Sequence, residues 1–466
     1  MRRDWDYTRA LEELWRRSSY ERGLISDPFG DVALAERGLA RARALLAELG
    51  EPQVKVATAH IAGSKGKGST GVFIASTAKH AGYQVGFYSS PHLHRFPERI
   101  AVNGQPIPED AFAIAAQAVA AAAERLEASH LELGQVTTFE MITAMAFHTF
   151  AERGCDLAVI EVGLGGRYDA TNVLAPIVSV ITRIDLEHTA VLGQSYADIA
   201  WQKAGILRRG VPSVSAPQVP DAEATIAAAA AEIGSPLQIG GRDWTWSGTW
   251  RSFDAAGPWG SWRDLSLSVP GPHQVENACT ALAALTLVDA AGIRISETAA
   301  RAGLAGAGWP GRFERVIVDG RDVVFDGAHT PAAAEALVKT WHEDLDAKRA
   351  TVILGMGADK DAKSFLVALS PLINWLIVTK ADSPRAAEPA AVAEAAGALN
   401  IPNEVQPSVA MAIESAKKRH PGPLLITGSL FVVGEGREAF DLADADLVWR
   451  ALNLAGTSPT DTGNNA

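Results

Sequence analysis

His60-Ile61-Ala62-Gly63-Ser64-Lys65-Gly66-Lys67-Gly68-Ser69-Thr70 is the stretch on which the reading of this 466-residue chain turns. An apolar run over 54–63 leads into it and a helical pattern over 69–82 leads out. Between strand and helix, glycines let the backbone curl so that N–H groups converge on an anion, and the helix N-terminus adds partial positive charge. Lys67 is spaced to reach the outer phosphates of a nucleotide, and Ser69 to offer a hydroxyl to Mg²⁺. The pattern is GxxGKGS rather than GxxxxGK[ST]: Ile61 stands five positions before Gly66, and Gly68 separates Lys67 from Ser69.

Outward from this loop, short apolar runs alternate with helical stretches. Residues 83–90, 157–163 and 176–184 read as buried strands; 108–131, 138–153 and 196–207 read as helices. That alternation predicts an α/β fold: a doubly wound, mainly parallel sheet carrying the phosphate loop. Residues 236–270, rich in Trp, Gly and Ser, break the rhythm and read as antiparallel hairpins, and a helix follows at 274–289. A second alternating set starts after Trp309-Pro310-Gly311, predicting a smaller, Rossmann-like α/β domain. The expected limits are 1–310 for the ATP-binding domain and 311–454 for the C-terminal domain. The polar stretch 455–466 reads as a disordered tail.

Charge narrows the partners. Lys and Arg total 42 and Asp and Glu 54, a net of -12, which argues against a broad nucleic-acid surface. A few local cations still suffice for an anionic small molecule. The two cysteines, Cys155 and Cys279, are too few for a cysteine zinc site or a disulfide framework. The charged N-terminus and the lack of a membrane-length apolar run fit a cytoplasmic protein.

A nucleotide site needs oxygen ligands for Mg²⁺. Glu161 ends the strand Leu-Ala-Val-Ile-Glu, and neighbouring strand ends in a doubly wound sheet share one crevice. Taken alone, His188 reads as an ordinary loop histidine and Lys203 as a surface helix lysine. His92 and His94 are weak evidence for a metal.

The ordered set GSKGKGST, SSPHLHRFPERIAVNG, TTFEMITAMAFHTF, IEVGLGGRYDATN, ITRIDLEHTAVLG, IAWQKAGILRRGVP, GPHQVENACTAL, WPGRFE, FDGAHTP, GMGADKD and ITGSLFVVGE resembles the folylpolyglutamate synthase and dihydrofolate synthase family, within the Mur ligase superfamily. The resemblance implies an ATP-dependent ligase that joins L-glutamate to a folate-type carboxylate through an acyl phosphate. It implies ATP contacts at Gly63, Gly66, Lys67, Gly68, Ser69, Thr70, Asn277, Arg312, Asp326 and His329. Two Mg²⁺ sites would draw on Ser69 and Glu161, and on His188 and a carbamylated Lys203. Lys67, His188 and Lys203 would serve catalysis. Thr137, Thr138, Phe139 and Glu140, with Tyr168, Asp169 and Ala170, match pterin-binding segments. The expected partners are ATP, glutamate and a folate or dihydropteroate, with no membrane or nucleic acid, and a monomer is implied. The sequence departs from the family at Ser64-Lys65, where Thr-Asn is common, at Tyr168, at Thr330, and in IDLEH, where IGLDH is usual. Which pterin acceptor is preferred stays open.

Two other readings compete. A Mur-type ligase for a nucleotide-linked cell-wall precursor would carry a uridine-nucleotide domain ahead of the loop, for which the residues before Gly63 are expected to be too few. A P-loop motor would have a Walker-type loop and would hydrolyse ATP without glutamate. Binding across two domains also predicts cleft closure, with a hinge including 309–312.

Overall fold

In the strand Leu157–Glu161, Leu157 and Val159 enter one hydrophobic cluster while Ala158 and Ile160 enter another, so both faces are buried. That double burial is why the run is continuously apolar, and it recurs in the central strands Ala57–Ala62, Val85–Tyr88 and Val178–Ile181 of an eight-stranded sheet whose edge strand Gln105–Pro106 is exposed. The computed structural model describes residues 5–18, 27 and 29–455. The sheet contains β1 (Ala57–Ala62), β2 (Val85–Tyr88), β3 (Ile100–Val102), β4 (Gln105–Pro106), β5 (Leu157–Glu161), β6 (Val178–Ile181), β7 (Ser213–Ser215) and β8 (Leu237–Ile239). Their spatial order is β4-β3-β2-β5-β1-β6-β7-β8. All pairings are parallel except those of β3 and β4, which form an antiparallel edge. Asn103 and Gly104, with φ of 53° and 75°, make the tight turn between them.

Helices Lys67–His80 and Pro272–Ala290 cover one face of the sheet, burying Phe73, Ile74, Cys279 and Leu282. Glu109–Ser129 and Thr138–Glu152 cover the other, burying Phe112, Val119, Met141 and Phe147. β1 lies between β5 and β6, so the loops leaving these strands open into one crevice at their C-terminal ends.

The expectation of hairpins throughout 236–270 is corrected at its start. β8 pairs parallel with β7 and completes the main sheet. Only β9 (Thr245–Thr249), β10 (Ser252–Gly257) and β11 (Gly260–Leu265) form an antiparallel meander. Trp244, Phe253 and Leu265 anchor it in the cluster that also contains helix Pro272–Ala290.

The second sheet comprises β12 (Glu314–Val318), β13 (Arg321–Asp326), β14 (Ala350–Leu354), β15 (Ile373–Val378), β16 (Asn403–Val405) and β17 (Leu424–Thr427). Its order is β12-β13-β17-β14-β15-β16, with only the β12–β13 hairpin antiparallel. Val352 and Leu354 face one cluster and Ile353 the other, so this sheet too is covered on both sides.

Polar bridges join the two halves. Arg251, at the turn of the meander, pairs with Asp344 at 2.9 Å, and His94 Nδ1 meets Glu438 at 3.0 Å. After the second sheet the chain crosses back as helix Leu447–Ala455. Trp449 there sits 4.4 Å from the Phe96 ring and 5.2 Å from that of Trp15, and Asp446 accepts from the Tyr7 hydroxyl. Of the stretch expected as a disordered tail, Ala455 ends this helix and 456–466 lie outside the described residues. Among the described residues no helix is long and apolar enough to cross a membrane.

Candidate active site

β1 ends at Ala62, and helix Lys67–His80 begins just beyond Gly66, its N-cap. Gly66 is in the left-handed region (φ 87°), and a Cβ there would lie 2.2 Å from Asn277 Oδ1, so conformation and space both demand glycine. Gly68 is needed for space alone: a Cβ would sit 2.6 Å from Cζ2 of Trp309.

The loop amides fall into two sets. Those of Ser64 and Lys65 donate to Arg183 O at 2.9 and 3.0 Å, tying the loop to the segment after β6. Those of Gly66, Lys67, Gly68 and Ser69 have no protein acceptor among the described residues. They form an open anion cradle at a helix N-terminus. Lys67 Nζ donates to Gly63 O at 2.9 Å. The Thr70 amide donates to Gly66 O at 2.8 Å, and Gly63 and Thr70 lie behind the cleft wall rather than on it.

A cleft of about 570 Å³ opens over the cradle, lined from the first sheet by Lys65, Lys67, Ser69, Glu161, His188, Lys203 and Asn277 and from the second by Arg312, Asp326 and His329. Glu161 is buried at the end of β5, where its one backbone partner among the described residues is the Ser90 amide at 3.4 Å. Burial pushes its carboxyl up to about 7, against the pull of Lys67, that amide and Arg312. A buried, poorly satisfied carboxylate that lines the same cleft as the Ser69 hydroxyl suits a hard divalent cation.

Glu187 lies between two ammonium groups, Lys65 Nζ at 3.3 Å and Lys203 Nζ at 3.4 Å. Burial opposes its charge, but Lys203, Lys67 and Lys65 together hold its pKa down at about 2. Lys203 also donates to Gly63 O at 2.9 Å. Burial lowers its pKa to about 8 in spite of Glu187, so a free amine is accessible near neutral pH. His188 has φ of 49°, and burial lowers its pKa, which favours a neutral imidazole.

From the second sheet, Asp326 accepts from the Phe313 and Ala328 amides, each at 2.8 Å. Burial raises its pKa despite Arg312. His329 Nδ1 donates to Gly327 O at 2.9 Å, and burial lowers its pKa to about 4. Asn277 Nδ2 donates to Gln274 Oε1 at 3.0 Å.

The two segments matched to pterin binding lie off this cleft. Thr137 caps helix Thr138–Glu152 in a capping box with Glu140. Thr138 is fully buried and gives its hydroxyl to Leu14 O at 2.7 Å. Phe139 packs over Gly163, and Tyr168 sits 6.4 Å from the Phe29 ring. Asp169, buried beside Ala170, accepts from the amides of Gly163 and Leu164 at 3.0 and 2.9 Å and so shapes the loop that follows Glu161.

Glu140 is also gripped by Arg41 through two bonds of 2.8 and 2.7 Å. Among the described residues, Arg41→Ala would leave a buried carboxylate with only the Thr137 amide. The expected loss is about 3 kcal/mol of stability, as for breaking one partner from a buried pair. Urea unfolding checks it, and a loss under ~1 kcal/mol would rank the pair with surface ion pairs. Sequence reasoning missed Arg41, Glu187 and Trp309 as site supports. Only the unusual charge of Lys65 hinted at a local counter-ion.

Residues 311–430 match the Mur ligase, glutamate ligase domain. The chain is 34% identical over 410 residues to the dihydrofolate synthase/folylpolyglutamate synthase of Bacillus subtilis, covering 86% of this chain and 94% of that protein. It is similar to the solved Mycobacterium tuberculosis folylpolyglutamate synthase complexed with ADP, with TM-score 0.84, 30% identity, and coverage of 95% of this chain and 100% of that one. It is also similar to E. coli FolC in complex with DHPP and ADP, with TM-score 0.80, 33% identity, and coverage of 94% and 98%. An open phosphate cradle facing a glutamate-ligase domain defines the class: a Mur-type ligase that forms carbon–nitrogen bonds. Within that class the chain belongs to the folylpolyglutamate synthase/dihydrofolate synthase family.

Proposed function

We propose that this ligase uses ATP to join the amine of L-glutamate to a carboxylate on a folate-type acceptor, dihydropteroate and reduced folates being the candidates. The observation that carries the reading is the convergence of Lys67, Glu161 and Arg312 on one cleft above four free amides. A carboxylate is a poor acyl donor because its oxygen leaves badly. Attack by that oxygen on the γ-phosphorus of ATP gives an acyl phosphate and ADP. The uncharged amine then attacks the carbonyl carbon, inorganic phosphate departs, and the amide nitrogen sheds its extra proton.

The protein's share is positioning and charge. The open amides and Lys67 orient the phosphates, and Arg312 brings a cation from the second sheet to the same chamber. Asn277 and Asp326 are placed to orient the nucleotide from either side. Approach of the two halves around 309–312 would exclude water that otherwise hydrolyses the acyl phosphate. Ser69 and Glu161 suit one Mg²⁺, and His188 with a carbamylated Lys203 would suit a second. The ions, when bound, would neutralise phosphate charge. As an ammonium Lys203 cannot ligate; in this reading its carbamate supplies the anionic oxygen. Phe139 and Tyr168 retain partly exposed rings and are proposed to meet the pterin, while Thr137, Thr138, Glu140, Asp169 and Ala170 support those segments. Domain limits of 1–310 and 311–454, a monomeric state and a cytoplasmic setting belong to the same reading.

Mass spectrometry of products formed from ATP, glutamate and each pterin acceptor in turn tests it. The acceptor should gain one or more glutamyl groups, with ADP released only when glutamate and acceptor are both present. Equal ADP release without glutamate would favour a simple ATPase and overturn the reading.

A further inference from the structure

Lys65 brings a charge that the phosphate loop does not use to fold. Its amide ties the loop to Arg183 O, while its side chain lines the cleft and reaches Glu187 Oε2 at 3.3 Å. That side chain is 29% exposed, whereas Lys203, on the other oxygen of Glu187, is 2% exposed. Of the two contacts to Glu187, that of Lys65 is the more exposed and the more readily exchanged for another anion. Lys65, Lys67 and Arg312 all line the same cleft, so an anion seated on the amides of Gly66–Ser69 meets cations from the loop and from the second domain.

We propose that Lys65 is a nucleotide-binding residue, docked on Glu187 before nucleotide arrives and transferred to the outermost phosphate when a triphosphate binds. A partly exposed ion pair holds weakly. An ammonium-to-phosphate hydrogen bond is among the stronger polar contacts, and a terminal phosphate carries more charge than a carboxylate. The proposal rests on the ATP-ligase reading above and adds discrimination of triphosphate from diphosphate to it.

The test is equilibrium binding of ADP and of a non-hydrolysable ATP analogue, each with Mg²⁺, to the full-length protein and its Lys65→Met variant. Lys65→Arg is the charge-keeping control, and Lys65→Asn stands in if Lys65→Met does not fold. Losing one charge-assisted contact should weaken the analogue by about 10-fold or more while ADP changes by less than about 2-fold. Lys65→Arg should retain the preference. In turnover, KM for ATP should rise more than kcat falls. Equal weakening of both nucleotides, or none, in a variant of a protein that otherwise binds them overturns the role of Lys65 and leaves the ligase reading intact. Failure of the unsubstituted protein to bind either nucleotide overturns both.

Discussion

Glu161→Gln is expected to lower ligation by about 10³-fold, the scale on which a preorganised charge at a reacting centre acts, while making the ligand-free protein more stable at pH 8. The first effect follows from removing the one carboxylate that faces the cradle from β5. The second follows from linkage. Folding moves this carboxyl from 4.5 to about 7, so between those pH values the folded state binds more protons than the unfolded state. Stability from this group therefore falls as pH rises through the window. Above about 7 the penalty is fully present, roughly 3–4 kcal/mol given ~1.4 kcal/mol per pH unit. Below 4.5 it is absent. Glutamine removes the penalty with little change of shape. Melting in chelator should show the variant above the parent at pH 8 and level with it near pH 4.5. Turnover within about tenfold of the parent, or no rise in melting temperature at pH 8, would sink the assignment.

Lys203→Met carries the next largest effect, an expected fall in kcat of about 10²-fold or more. Methionine keeps the buried stem and removes the nitrogen, so Gly63 O and Glu187 Oε1 each lose a donor. Lys65 is then the partner left to Glu187. In the parent, carbamylation needs the free amine, which burial makes available near pH 8. Turnover should accordingly increase with added bicarbonate in protein stripped of CO₂, and crystals grown with bicarbonate should show the modified nitrogen. An unmodified amine in crystals of fully active enzyme would reject the carbamate.

The phosphate loop was legible because everything it needs is local: a strand, closely spaced glycines and a helix start. The long strands were legible for a similar reason, since burial on both faces writes a continuous apolar run. Three-residue strands such as β7 and β16 write no such signal, and only pairing to a neighbour defines them. The β3–β4 hairpin could have been found from Asn103-Gly104, a dipeptide suited to positive φ at both positions. Within the site, residue types were readable but their partners were not. Arg41 and Glu140 are 99 positions apart, and Lys65 and Glu187 are 122 apart. Those contacts depend on how helices seat on the sheet, which no local pattern encodes. Asp169 shows the same limit: its side chain is spent on loop amides, a role that its motif does not announce.

The crossing of helix Leu447–Ala455 back onto Trp15 and Phe96 has a mechanical consequence. With this helix pinned at one place and the passage through Gly311 at another, the second sheet resembles a door hung on two pins rather than a weight on a cord. Any rotation of the second sheet relative to the first would have to turn about both attachments, and Arg312 directly follows one of them.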